Sequence, residues 1–321
     1  MKIVFFGSAD FAVPALIKLK ESNKILTVVT KPDKPKGRRL LTSPSEVKLK
    51  AQELGLNISH IEGLSPASAS EMLAGYSADL FIAIAYGQIL SLDILSLPKF
   101  YSVGLHASLL PKYRGASPIN WAILNGETQT GVTVFRLNEK MDAGDIISQE
   151  VVKILESDNA ETLYSRLSLT GADLLSRSIP LIESGRQELK RQNEAKATFT
   201  PKLKKEDGLI NWTEDATLIH NKVRGLYNWP GTFSDFRGRK IKIWETETAV
   251  DAIRNERSKP GEIIKVESSA IFVACGCGVL KIKELQVEGG RRVAVSDYLS
   301  GHKISAGDCF TPGDVPQRDT P

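Results

Sequence analysis

Two residues far apart in the chain have the types that proton transfer needs. His106 closes the apolar run Val103–His106, and Asp142 sits inside Met141-Asp142-Ala143-Gly144-Asp145. An imidazole and a carboxylate brought together can take up and hand on the proton that an amine sheds when it attacks a carbonyl carbon. Each residue also has a plainer reading. A histidine at a strand end is often a hydrogen-bonded structural residue, and an aspartate before small residues is often turn chemistry. Their separation in sequence leaves open whether they meet. The other histidines are His60, His220 and His302, and none stands at a metal-ligand spacing from another His or a Cys, so no metal is expected. Cys275 and Cys277 are one residue apart, which suits neither a redox pair nor a zinc knuckle, and Cys309 stands alone. Reduced thiols in a reducing compartment follow.

The elements that would carry this pair alternate in type. Ile3–Phe6, Ile25–Thr30, Asn57–Ile61, Leu80–Tyr86 and Val103–His106 read as buried strands, and Phe11–Glu21, Ser45–Leu54 and Ser68–Ala74 as helices between them. Such alternation predicts an α/β fold with a mainly parallel sheet covered on both faces. Sheets of this kind bind ligands at the carboxyl ends of their strands, which groups Gly7–Asp10, Tyr86–Gln88 and His106–Pro111 on one edge. Gly131–Leu137 and Ile146–Ile154 read as further strands, and a long helix runs from about Ala160 to Ser184. From Arg186 to Glu206 the chain turns polar and cationic, as a linker would. Beyond it one helix, about Ala216 to Leu226, precedes strand-like runs at Lys240–Thr246, Gly261–Val266, Ala270–Ala274 and Gly278–Val287, which suggests a small antiparallel β-barrel. The expected division is residues 1–185, a linker at 186–206, and 207–321. A chain of 321 residues is long enough for two cores.

With these residues in place the pattern becomes familiar. His106-Ala-Ser-Leu-Leu-Pro-Lys-Tyr-Arg-Gly115, followed by Met141-Asp142-Ala-Gly144-Asp145, resembles the folate-dependent formyltransferase superfamily. The resemblance implies a Rossmann-like fold, 10-formyltetrahydrofolate as donor, and catalysis by an Asn, a His and an Asp. His106 and Asp142 stand at two of those positions; Asp142 would shuttle the proton, and His106, oriented by Asp142, would stabilise developing negative charge. Ser108, Leu109, Leu110 and Pro111 match a stretch lining the folate site, and Tyr86, Gly87, Gln88, Ile89 and Leu90 resemble another wall of it. The third position departs from the pattern: Gly104 replaces the Asn. Losing one donor to an oxyanion typically lowers rate by about 10²–10³, so Gly104→Asn is expected to raise activity more than tenfold.

The acceptor needs its own argument. Lys31-Pro-Asp-Lys-Pro-Lys-Gly-Arg-Arg-Leu-Leu-Thr-Ser-Pro44 carries five cations against one acid, and its prolines and Gly37 predict a loop. Cations at the strand ends could engage phosphates of a bulky anionic substrate. The loop resembles the insertion by which the methionyl-tRNA branch of the superfamily grips the acceptor stem, with Lys34, Lys36, Arg38 and Arg39 as the gripping residues. The resemblance continues through Thr200–Leu203, Gly208–Trp212, Asn228–Gly231 and Pro260–Ile263 into an OB-like C-terminal domain, a fold that often binds nucleic acid. It implies formylation of the α-amine of initiator methionyl-tRNA. Two rivals stay open: a sugar-nucleotide N-formyltransferase, and a tRNA-binding member whose catalysis is weak or lost at Gly104. A dinucleotide dehydrogenase is disfavoured, since Gly7-Ser8-Ala9-Asp10-Phe11 lacks the Gly-x-Gly-x-x-Gly pattern. The net charge of +4 permits a nucleic-acid partner without demanding one. No run approaches the ~20 apolar residues of a membrane span, and a monomeric cytoplasmic protein is expected.

Overall fold

The computed structural model describes residues 1–36, 41–249 and 258–311. It divides into two compact units, one of residues 1–118, 129–153 and 164–200, the other of 119–128, 154–163 and 201–321.

In the first unit the strands are β1 (Lys2–Gly7), β2 (Lys24–Val29), β3 (Lys34–Lys36), β4 (Leu41–Ser43), β5 (Ile58–Ser59), β6 (Leu80–Ile84), β7 (Ser102–His106), β8 (Arg114–Gly115), β9 (Gln129–Arg136), β10 (Ile146–Lys153) and β11 (Phe199–Thr200). Seven of them form one sheet in the order β10-β9-β7-β6-β1-β2-β5. Pairing is parallel from β7 through β5 and antiparallel at β7–β9 and β9–β10. In β1 every residue after Lys2 is buried, as a strand covered on both faces must be. One face packs Val4, Phe6 and Phe81 against Leu73, Ile94 and Leu95. On the other, the helix Ala160–Glu183 approaches so closely that a Cβ on Gly171 would lie 2.8 Å from Leu105 Cδ2. The helix Glu46–Glu53 is capped by Ser45, whose hydroxyl accepts from Lys48 N at 3.1 Å.

The Lys31–Pro44 segment differs from the expected loop: β3 and β4 pair antiparallel, Lys34 with Ser43 and Lys36 with Leu41. The Arg186–Glu206 segment is likewise more structured than a linker. Lys190 exchanges two backbone hydrogen bonds with Ile146, and β11 pairs in parallel with β8.

In the second unit a helix (Ala216–Gly225) accompanies β12 (Thr232–Phe236), β13 (Arg239–Thr248), β14 (Ile263–Glu267), β15 (Ala270–Ala274), β16 (Val279–Val287), β17 (Val293–Ala294) and β18 (Phe310–Thr311). They form a curled antiparallel sheet in the order β14-β15-β16-β13-β12-β18, with β17 on β16. A bridge between Glu262 and Cys309 joins its two ends. Alternate residues of the strands, among them Ile241, Ile243, Ile271, Val273, Leu280 and Ile282, fill its interior with Trp212. The architecture is therefore a Rossmann-like unit followed by a small OB-like one.

Candidate active site

His106 is the last residue of β7. Along that strand Ser102, Gly104 and His106 share one face, and Val103 and Leu105 the other. His106 Nε2 lies 2.8 Å from the Tyr113 carbonyl oxygen. A carbonyl only accepts, so Nε2 carries the hydrogen and Nδ1 is turned the other way. Nδ1 faces the Asp142 carboxylate at 3.7 Å, within ion-pair reach but beyond a direct hydrogen bond. The two residues do meet. The expectation that Asp142 orients the ring is corrected, because the Tyr113 carbonyl holds it.

Asp142 reaches this place on the loop between β9 and β10, with φ of 52°. A residue in that left-handed region stays only where its surroundings impose it, and here the constraints are visible. Asp142 Oδ2 accepts from Gly115 N at 2.8 Å. Gln192 Nε2 donates to the carbonyls of Asp142 and Gly144 at 2.8 and 2.7 Å. Gly144 has to be glycine, since a Cβ would lie 1.7 Å from Arg136 O. Gln192 is held in turn by Arg114, whose Nε and Nη2 donate to its Oε1 at 3.1 and 2.8 Å. The same guanidinium, 2% exposed, grips Glu194 at 2.8 and 3.0 Å and lowers that carboxyl's pKa from its ordinary value.

Gly104 stands directly opposite Phe135 across β7–β9. A Cβ there would lie 2.6 Å from Phe135 Cε1 and 2.8 Å from Leu137 Cδ2. The space that an amide side chain would use is occupied by a buried aromatic ring. The expected gain from Gly104→Asn alone is therefore corrected: the larger residue collides with Phe135 before it can donate to anything. Leu137 also lines a cavity of about 410 Å³ together with Leu92, Leu95, Tyr101, Arg136 and Asp145.

The other candidates are distributed unevenly. Ser108 and Leu110 are interior: Ser108 Oγ donates to Lys112 O at 2.6 Å, its carbonyl accepts from Thr133 Oγ1 at 2.6 Å, and Leu110 packs with Phe135 and Ile146. Leu109 and Pro111 are half-buried, and Leu109 covers Gly131. Tyr86 and Leu90 belong to the sheet's core, where burial and Glu62 push the Tyr86 phenol up to about 12. Gly87 and Ile89 are exposed and Gln88 half-buried, so this stretch presents mainly backbone and one apolar side chain to its surroundings. Lys34 and Lys36 lie on β3, while Arg38 and Arg39 lie outside the described residues.

Residues 1–179 match the formyl transferase family, and residues 202–303 match its C-terminal domain. The chain belongs to the formyl transferase family. It is 38% identical to the methionyl-tRNA formyltransferase of Geotalea uraniireducens, over 96% of this chain and 97% of that one. It is 40% identical to the methionyl-tRNA formyltransferase of Caldanaerobacter subterraneus subsp. tengcongensis, over 96% and 99%. Among solved structures, an N-formyltransferase of Helicobacter canadensis, in complex with folinic acid and dTDP-3-aminofucose, superposes with a TM-score of 0.65 at 19% identity, covering 91% of this chain and 100% of that one. HypX of Aquifex aeolicus with tetrahydrofolic acid superposes at 0.61 and 18%, over 97% of this chain and 50% of that one, so the chain spans half of that longer protein.

Sequence reasoning overlooked three parts of this formyl transferase's site. Tyr113 acts through its carbonyl, which no side-chain pattern reveals. Arg114 is buried, though Arg is rarely so. Gln192 lies in a stretch whose charge reads as solvated linker. A run holding a neutral, polar residue among cations was the one available signal.

Proposed function

We propose that the chain transfers the formyl group of 10-formyltetrahydrofolate to the α-amine of methionyl-tRNA, with His106 and Asp142 as its proton-handling pair. The observation that carries the reading is the 3.7 Å approach of His106 Nδ1 to the Asp142 carboxylate at the carboxyl ends of the parallel strands, where sheets of this class bind their ligands. The names of relatives aligned along nearly the whole chain favour methionyl-tRNA as acceptor.

In this reading the neutral amine attacks the formyl carbon, a new C–N bond forms, and the bond from that carbon to the folate nitrogen breaks. The amine's proton passes to Asp142 and ends on the departing folate nitrogen, so neither charge nor atoms are left over. His106, its Nε2–H fixed by the Tyr113 carbonyl, turns Nδ1 toward the same space, and with both nitrogens protonated it donates from Nδ1 to the oxygen's developing negative charge. The cavity beside Leu137 and the exposed backbone at Gly87–Ile89 support placement of the donor there. Lys34, Lys36, Arg38 and Arg39 are assigned to the acceptor stem's phosphates, residues 207–321 to further contact with the RNA, and the chain acts as a monomer in the cytoplasm.

The test is formylation of methionyl-tRNA and of an amino-sugar nucleotide, offered side by side with the same donor. Product on the tRNA supports the reading. Product on the sugar alone overturns it, and salt-sensitive tRNA binding without turnover would mean a member that kept the ligand and lost the reaction.

A further inference from the structure

Lys31 follows β2 at the edge of the sheet that holds His106. In strand order β1 lies between β2 and β6, and the Lys31 side chain crosses it: its ammonium donates to the carbonyl of Gly87 at 3.0 Å, beyond the end of β6. Its backbone N–H donates to Ser8 Oγ at 3.3 Å, in the turn after β1. Gly87 has φ of +73°, and a Cβ on it would lie 2.6 Å from Lys31 Nζ. The backbone conformation favours glycine there, and the absence of a Cβ lets the cation approach the main chain closely. An ammonium has three donors. Gly87 uses one, and among the described residues no carboxylate pairs with Lys31. A half-buried cation with no carboxylate partner among the described residues is thus held between the turn after β1 and the loop after β6. Strands are spaced about 4.8 Å apart, so β6, whose loop holds the ammonium, lies one spacing from the strand carrying His106.

We propose that Lys31 binds the phosphate joining the last two nucleotides of the acceptor strand, so that the esterified methionine extends toward His106. The proposal rests on the acceptor reading above and adds a residue to it. The phosphate supplies the missing counter-charge and takes the two free N–H groups. Its separation from the amino group, across one ribose and one ester, matches a span of one to two strands. The cations of the Lys34–Arg39 segment would meet phosphates further along the RNA, and Lys31 only the terminal one.

The experiment compares wild type, Lys31→Gln and Lys31→Arg on two acceptors: methionyl-tRNA, and methionine esterified to the dinucleotide CpA, which has a single phosphate. Lys31→Gln is expected to raise KM for both acceptors about tenfold, the loss of a charge-assisted hydrogen bond. It should leave kcat and the folate KM within twofold and flatten the salt dependence of kcat/KM by about one phosphate contact. Lys31→Arg should restore most of the loss, with unchanged thermal midpoints throughout. If Lys31→Gln matches wild type on methionyl-CpA, the assignment is overturned. It is equally overturned if the folate KM rises instead, which would make Lys31 a strut for the Gly87 loop. A wild-type chain that formylates neither acceptor would bring down the acceptor reading itself.

Discussion

His106 in the first unit and His220 in the second are the two imidazoles with the most enclosed surroundings to compare, and they differ in what faces them. His106 lies between a main-chain carbonyl and a carboxylate, so one nitrogen is fixed and the other is directed at a charge. His220 Nδ1 meets only the Thr246 hydroxyl at 2.9 Å, while burial, helped by the Arg224 guanidinium, pushes its pKa down to about 4. Yet His220 lines the larger cavity, about 960 Å³, against about 410 Å³ for the one bordering β7. Cavity size is thus a poor guide to chemistry here. In the larger cavity the cations are already engaged: Lys283 with Glu245 and Glu247, Arg292 with Glu284, and Arg224 with the carbonyls of Leu155, Glu156 and Asp158. A hydroxyl-bonded neutral ring among balanced charges is a packing device, whereas a ring aimed at a carboxylate is able to exchange a proton.

The largest effect should separate the two rings. His106→Asn is expected to lower kcat for methionyl-tRNA formylation by about 10²–10⁴, and His220→Asn to leave it within threefold, in the same assay at saturating donor. Next in size is a pH effect confined to His220. Its folded pKa of about 4 lies below the usual His value of 6.5. The unfolded chain therefore binds the proton first as pH falls, and the stability associated with the neutral ring is lost between about pH 6.5 and 4. That loss should approach about 3 kcal/mol in wild type and be absent in His220→Gln, as read by denaturant unfolding across the window.

Gln192→Ala tests the support of the first site. It leaves Arg114 short of two hydrogen bonds and frees the Asp142 loop, at a cost of about 2–3 kcal/mol, with kcat falling more than either KM. The smallest expected change concerns Gly104. Alone, Gly104→Asn should destabilise by about 1–3 kcal/mol through overpacking against Phe135 and give no gain in rate. Paired with Phe135→Val, which vacates the ring's space, it should recover stability and raise kcat tenfold or more. A single Gly104→Asn variant with faster turnover would show that the Phe135 ring moves aside readily.

These contrasts also mark how far the sequence could be read. The strand–helix alternation was legible because β1, β2, β6 and β7 are apolar almost throughout, a pattern that burial on both faces imposes. The His106–Asp142 pair was legible as residue types in a familiar run. Its geometry was not: the bond that orients His106 comes from the backbone of Tyr113, and the clamp on Asp142 comes from Gln192, fifty residues away. The fate of Gly104 was hidden for a similar reason. Its meaning depends on Phe135, a cross-strand neighbour that only the antiparallel register of β7 and β9 identifies. The polar 186–206 segment misled because charge on its surface concealed the buried side chains of Gln192 and Thr200.

The account's central claim is that the Asp142 carboxylate handles the proton of the attacking amine, and single-turnover formylation of methionyl-tRNA by Asp142→Asn tests it most directly. The variant keeps the shape and the hydrogen bond from Gly115 but cannot serve as base. The account predicts a fall in rate of at least about a hundredfold with acceptor and donor affinities nearly unchanged. A rate within threefold of wild type would contradict it.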